Sequence, residues 1–260
     1  MMYAGFGEGV RKIWNIDGKA QAFYLNNIGK DVRNLPLEAF KKYDAFFVPN
    51  DRYIGLYFGC ECQQLHYGLY YSNGQCTVCN HVVFPFYNLV GQVVGWVSYK
   101  PFVHLKSREQ NDFTTPYYEY PSALIFNKGR YVFMLPSVYK SALRDGYIVI
   151  TDGVFDAVNF THCGINACSV LGSKFNIWLA FYFKFIERVF VSIDNDTAGH
   201  KLYRDIQRFI PNARRILQVF GKDADEVLKT CNGEDFLHIV KTGVERNTDI
   251  VFRKKISSVV

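Results

Sequence analysis

The sequence predicts an α/β fold: a mostly parallel sheet with flanking helices, preceded by a mixed α+β N-terminal region. Three observations carry this. Short β-rich runs at Tyr147–Thr151, Arg188–Ile193 and Arg214–Phe220 alternate with helix-like stretches, the pattern of a parallel sheet. Each run stops at acidic residues: Asp152 and Asp156 after the first, Asp194 and Asp196 after the second, Asp223 and Asp225 after the third. A helix start then follows each acidic cluster. In such sheets the residues just past the carboxyl ends of the strands line the ligand crevice. The order therefore gathers these aspartates at one end of the sheet. Clustered carboxylates repel each other unless cations sit among them, and hard oxygen ligands of this kind suit Mg²⁺.

Composition sets the outer bounds. A chain of 260 residues allows one large domain or two small ones, with ample core. The net charge of +6 is mildly basic. An acidic centre within a basic whole is what metal-dependent chemistry on a polyanion needs, although charge alone fits equally a soluble protein with a few extra lysines. Residues 1–14 carry Glu8, Arg11 and Lys12 and lack the apolar core of a signal peptide. Ile177–Phe183 is apolar but stops at Lys184, short of a membrane span. Seven cysteines in a chain this large do not make a disulfide miniprotein. The expectation is a reducing cytoplasm, free or metal-bound thiols and no membrane.

The N-terminal region, residues 1–81, says least. Gly5, Gly7 and Gly9 predict a flexible start, Pro36–Tyr43 a short helix with proline in its first turn, and Phe46–Phe58 an aromatic, β-prone stretch broken by Pro49-Asn50-Asp51. Cys60-Glu-Cys62 and Cys76-Thr-Val-Cys79 place four thiols in twenty residues, enough for a tetrahedral Zn²⁺. The C-x-x-C half fits a zinc knuckle. The C-x-C half fits less well, and Cys79 runs directly into a strand, so small buried thiols are the favoured alternative.

Residues 82–145 form the next segment. Two apolar runs flank Asn88–Gly91 and predict a hairpin, with Pro85 at an edge or a strand start. Residues 101–120 read as a polar loop. Lys128-Gly-Arg130 is a basic tip that either meets phosphates or is a solvated turn. Ser137–Asp145 predicts a helix ending near Gly146.

The α/β segment spans 146–231, with a tail at 232–260 that carries the basic run 253–255. If a helix begins beside Gly153, Asp152 and Asp156 share one of its faces. Residues 166–169 predict a further strand, 175–187 an aromatic helix belonging to the core, 198–209 an amphipathic helix and 226–230 a last helix. The stretch Asp194-Asn-Asp196-Thr-Ala198-Gly199 superficially matches a calcium loop. It fails at Ala198, where an oxygen ligand is needed, and at Asp205, where glutamate is needed.

Several segments taken together resemble the catalytic core of bacterial-type, DnaG-like DNA primases with their toprim domain. They are Thr151-Asp-Gly-Val-Phe-Asp156, Ser169-Val-Leu-Gly-Ser173, Ile193-Asp-Asn-Asp-Thr-Ala-Gly199 and Gly221-Lys-Asp-Ala-Asp225. Upstream, Val83–Trp96 and Phe126-Asn-Lys-Gly-Arg130 resemble the family's strand pair and basic segment, so the resemblance covers about residues 80–230. There are departures. Asp152 stands where the family carries glutamate, shortening the reach by one carbon bond, about 1.5 Å. Glu119-Tyr120-Pro121 replaces an asparagine-serine-proline stretch. The expectation is that no separate zinc domain precedes, unless residues 60–79 are a reduced substitute, and that no helicase-docking domain follows, as in a compact primase of a phage or mobile element or in a toprim protein that has lost polymerase activity.

The resemblance implies a nucleotidyl transferase that makes short RNA primers on single-stranded DNA during replication, using Mg²⁺ or Mn²⁺ and NTPs. A replicative helicase would act in trans, in a bacterial or phage-infected cytoplasm. It assigns metal binding to Asp194, Asp196, Asp223 and Asp225, and the general-base or shared-ligand role to Asp152 with Asp156 in support. Template or NTP contacts fall to Lys100, Lys128, Arg130 and Lys140. Two other classes stay open: a toprim nuclease or topoisomerase-like strand cleaver, for whose large gate domain there is no room, and a non-catalytic DNA-binding accessory protein.

Overall fold

The computed structural model describes residues 4–29, 35–71, 73–110, 114–171, 174–218 and 249–252. Asp223, Asp225, the helix expected at 226–230 and the basic run at 253–255 lie outside these residues. The chain divides into two compact units, Met1–Asn127 and Lys128–Val260.

The first unit begins with a helix, α1 (Ala4–Ile28), where a flexible segment was expected. The glycine count misled; the apolar spacing Phe6, Val10, Ile13 is that of a buried helical stripe. A Cβ on Gly9 would come within 2.6 Å of the Phe58 ring and the Tyr57 carbonyl oxygen, so glycine lets the helix press close. Phe6 stacks on Phe58 with ring centroids 4.9 Å apart. Helix α2 (Leu37–Lys42) follows Pro36 as expected.

The stretch 46–58 is strand only over β1 (Phe46–Val48) and then becomes helix α3 (Asp51–Tyr57). Asn50 accepts a hydrogen bond from the Tyr53 N–H at 3.2 Å, and this cap overrides the β-propensity of the aromatic residues. Helix α4 (Glu61–His66) leads into the hairpin of β2 (His81–Tyr87) and β3 (Val93–Tyr99). Strand β1 pairs only with residues 81–83 of β2, so Pro85 sits where that edge has no β1 partner. The expected loop at 101–120 is instead helix α5 (Pro101–Gln110), started by its proline, followed by β4 (Tyr118–Glu119). The sheet is antiparallel in the order β1-β2-β3-β4. Trp96 is fully buried beneath it, its indole N–H donating to the Tyr67 carbonyl at 2.8 Å.

Cys76 and Cys79 are joined in a disulfide, their Cα atoms 5.8 Å apart, within the usual range for such a bond. This corrects the expectation of free or metal-bound thiols at these two positions, because the C-x-x-C turn brings their sulfurs together. Cys60 is exposed and outside the disulfide.

The second unit opens with a 3-10 turn, Lys128–Arg130, then α6 (Pro136–Asp145). Gly146 ends α6 with φ 72°, a left-handed conformation that suits glycine. The chain continues through β5 (Tyr147–Thr151), α7 (Val154–His162), β6 (Ala167–Ser169) and α8 (Ile177–Ala180) with a 3-10 turn over Phe181–Phe183. Then come β7 (Arg188–Ser192), α9 (Thr197–Phe209), β8 (Arg214–Gln218) and β9 (Asp249–Phe252). The five strands pair in parallel, in the order β6-β5-β7-β8-β9, and Phe133 adds an isolated antiparallel bridge to Ser169 of β6. Ile148, Val149 and Ile150 are wholly buried, as expected for a parallel strand covered on both faces.

The long core helix expected at 175–187 is corrected to one short helix and a 3-10 turn. Phe175, Leu179 and Phe183, four residues apart, are buried, while Ile177, Trp178, Phe181 and Phe185 are exposed.

Candidate active site

The chain leaves β5 for β6 on one side and returns to β7 on the other, so strand order reverses at β5. Ligand crevices form at such reversals, beyond the carboxyl ends of the strands. Register fixes what meets there: Thr151 of β5 pairs with Ser192 of β7, which makes the two strand ends level. Asp152 and Asp194 then come together. The Asp194 N–H donates to Asp152 Oδ2 at 3.3 Å. Buried Thr151 braces the turn, its hydroxyl lying 3.0 Å from the Gly153 carbonyl oxygen and 3.2 Å from that of Cys168.

Asp156 lies in the first turn of α7. Because α7 starts at Val154, Asp152 precedes the helix and the two do not share a helical face. The Asp156 carboxylate folds back over Gly153, where a Cβ would collide with Oδ2. Asp196 is exposed and caps α9, its Oδ1 accepting from the Gly199 N–H at 2.7 Å. Among the described residues no three His, Cys, Asp or Glu side chains are placed to share one ion. The donor chemistry nonetheless fits Mg²⁺, which binds proteins through one or two carboxylates and keeps its waters.

Sequence reasoning missed Arg215. It is 3% exposed, and its Nη2 donates to the Asp194 carbonyl at 3.0 Å. Nη1 meets His200 Nδ1, and the guanidinium lies 5.7 Å from the centre of the Tyr203 ring. A second arginine inside the apolar strand 214–218 was the available signal, since alternate strand residues face opposite sides and one of Arg214 and Arg215 had to point inward. Arg215 sets a fixed positive charge beside the acidic strand end.

The candidate phosphate contacts divide between the units. Lys128, Arg130 and Lys140 belong to the second. Lys128 is half-buried, which pushes its ammonium pKa below the ordinary range. Arg130 and Lys140 are exposed, and Arg130 lies 5.8 Å from the centre of the Trp178 ring. Lys100 belongs to the first unit, where it pairs with Glu119 at 2.9 Å. Burial lowers the Lys100 pKa and raises that of Glu119.

Residues 149–228 match the toprim-like family. The chain is 25% identical over 170 residues to a DNA primase of Aquifex aeolicus (strain VF5), covering 63% of this chain and 32% of the relative. It spans 27–32% of the length of the curated primases it matches. Among solved structures, it is similar to the zinc-binding and RNA polymerase domains of the Aquifex aeolicus primase, with a TM-score of 0.72 at 18% identity over 93% of this chain and 60% of that one. It is also similar to a DnaG primase catalytic domain bound to single-stranded DNA, with a TM-score of 0.68 at 18% identity over 90% of this chain and 78% of that one. The described part of the toprim-like match, within residues 149–218, lies on the parallel sheet, and this chain has the fold of the DnaG catalytic core.

Proposed function

We propose that the protein is a primase-type nucleotidyl transferase that makes short RNA primers on single-stranded DNA. The observation that carries this reading is the Asp152–Asp194 contact at the strand-order reversal of a toprim-like sheet. Mg²⁺, or Mn²⁺ in its place, would be held by Asp194 and Asp196 with Asp223 and Asp225. When bound, it supplies charge neutralisation for the attacking and leaving oxygens of phosphoryl transfer. Asp152 accepts the proton of the attacking 3′-hydroxyl or shares the ion, and Asp156 supports it. Arg215 holds the Asp194 carbonyl so that the strand end keeps its shape. Lys128, Arg130 and Lys140 attract template or NTP phosphates, with Lys100 as a further candidate in the first unit. Residues 82–145 and 146–231 serve as core and toprim subdomains. The work is cytoplasmic, with the helicase supplied in trans; no described helix is long and apolar enough to cross a membrane.

Incubation with NTPs, Mg²⁺ and a single-stranded template should yield labelled oligoribonucleotides, lost in Asp194→Asn. Nicking of the template without primers points to the nuclease class. Neither product points to an accessory DNA-binding protein.

A further inference from the structure

The segment 174–188 divides its residues between two faces. Phe175, Leu179, Phe183 and Ile186 are at most 5% exposed, whereas Trp178 is 58%, Phe181 53% and Phe185 72% exposed. Trp178 and Phe181 are neighbours, and adjoining exposed rings are the kind of apolar surface that a binding partner covers. Its partner is indicated by charge. The Arg130 guanidinium sits 5.8 Å from the centre of the Trp178 ring and the Lys184 ammonium 5.6 Å from that of Phe185. Lys174 and Lys184 are exposed as well, and Glu187 is the single acidic residue between 174 and 188. Lysine is depleted at protein–protein interfaces. Cations interleaved with aromatic rings are instead the arrangement that tracks a nucleic-acid backbone while its bases stack.

We propose that this face is a stacking platform for unpaired bases of a DNA single strand. The identity of the strand as template rests on the primase reading above. The platform is tied to the basic turn: Asn176 Nδ2 donates to the Gly129 carbonyl at 2.9 Å, while Asn176 Oδ1 accepts from the Trp178 N–H at 2.9 Å. One face of the Trp178 ring carries Arg130, and its exposure leaves room for a base on the other. Trp178 and Phe181 have ring centroids 6.3 Å apart. Beside them opens a cleft of about 290 Å³, lined by Phe181, Phe183, Phe209 and Pro211 with Lys184 among them. A flat base fits its apolar walls, and the lysine meets the adjoining phosphate. A duplex hides its base faces and offers nothing for the rings.

Intrinsic fluorescence tests this. Of the three tryptophans, Trp96 is fully buried and Trp14 is packed against the core of the first unit, so Trp178 dominates the emission a ligand can reach. In buffer without divalent ions, oligothymidylate should quench that emission, and a duplex of equal length should not. Trp178→Ser with Phe181→Ser should abolish the quench and weaken oligothymidylate binding on the order of 5- to 100-fold, with an unchanged circular dichroism spectrum. Trp178→Phe should keep most of the affinity, because the ring remains. Unchanged affinity in the double variant, or equal quenching by duplex, overturns the platform. So does a loss of self-association in the double variant with no effect on oligothymidylate, which makes this a protein-binding face. Primer synthesis is read separately. Quenching without primers keeps the platform and removes the primase reading, and primers with unchanged affinity do the reverse.

Discussion

Gly199→Ala tests whether the acidic strand end is held by backbone contact. Gly199 is buried in the first turn of α9. A Cβ there would fall inside the Asp194 carbonyl oxygen and 3.0 Å from its carbon. That carbonyl also accepts the Arg215 Nη2 hydrogen bond at 3.0 Å, so it cannot retreat without losing a charged donor. Overpacking of this kind costs about 1–3 kcal/mol, and a hydrogen bond to a charged group contributes about 1.5–3 kcal/mol. The helix preference of alanine over glycine returns about 1 kcal/mol. The net expectation is a loss of about 1.5–5 kcal/mol in stability. Urea denaturation reads it as a lower midpoint at an unchanged slope. Gly55→Ala is the control: nothing lies within 4 Å of its Cβ position in α3, so alanine there should stabilise by up to about 1 kcal/mol. Primer synthesis by Gly199→Ala should fall with the displaced Asp194. A variant as stable as the parent would refute the argument that the strand end is pinned.

Three further outcomes are expected. Asp152→Glu should lower the Mg²⁺ concentration needed for half-maximal primer synthesis by restoring about 1.5 Å of reach; abolished synthesis would mean the pocket has been rebuilt around aspartate. Lys128→Ala with Arg130→Ala should flatten the salt dependence of single-strand binding by about 1.4 in log–log slope, roughly 0.7 for each phosphate contact, and an unchanged slope removes both residues from the strand's path. His81, hydrogen-bonded to Ser98 at 3.1 Å, has its pKa pushed down from 6.5 to about 4 by burial and by the Lys100 charge. Between these values the unfolded chain binds more protons, so the stability His81 contributes is full above pH 6.5 and is lost as pH falls toward 4, by up to about 3 kcal/mol. His81→Gln should flatten the stability curve across that window, and a curve that keeps its slope assigns the effect to other groups.

The α/β unit was legible in the sequence because parallel strands announce themselves. Ile148, Val149 and Ile150 are buried on both faces and so form an unbroken apolar run, and the aspartates punctuate its end. The same logic failed at 175–187, where aromatic content hid the fact that only Phe175, Leu179, Phe183 and Ile186 turn inward. In the first unit the misreadings share a cause. Gly5, Gly7 and Gly9 were weighed as conformational freedom, yet Gly5 and Gly9 give Tyr67 and Phe58 room to pack closely on α1. Asn50 was read as a strand breaker and is a helix cap. Tertiary contact decided both, and one sequence does not display it. Arg215 was missed because a strand arginine looks solvated until its partner, the Asp194 carbonyl, is placed.

The acidic residues at the site have local structural duties that also prepare them for a ligand. Asp152 commits Oδ2 to the Asp194 N–H, and Asp196 commits Oδ1 to the Gly199 N–H. Each contact ties a carboxylate to backbone that is itself fixed, by strand register in one case and by the first turn of α9 in the other. A carboxylate anchored through one oxygen has little rotamer freedom left to lose when its other oxygen meets an ion or a substrate. Arg215 acts in the same direction from behind the strand end. The sheet therefore holds this end in place through its own backbone and one buried guanidinium. Under the function proposed above, the groups that would hold a cation are then set in position by folding rather than by the ion.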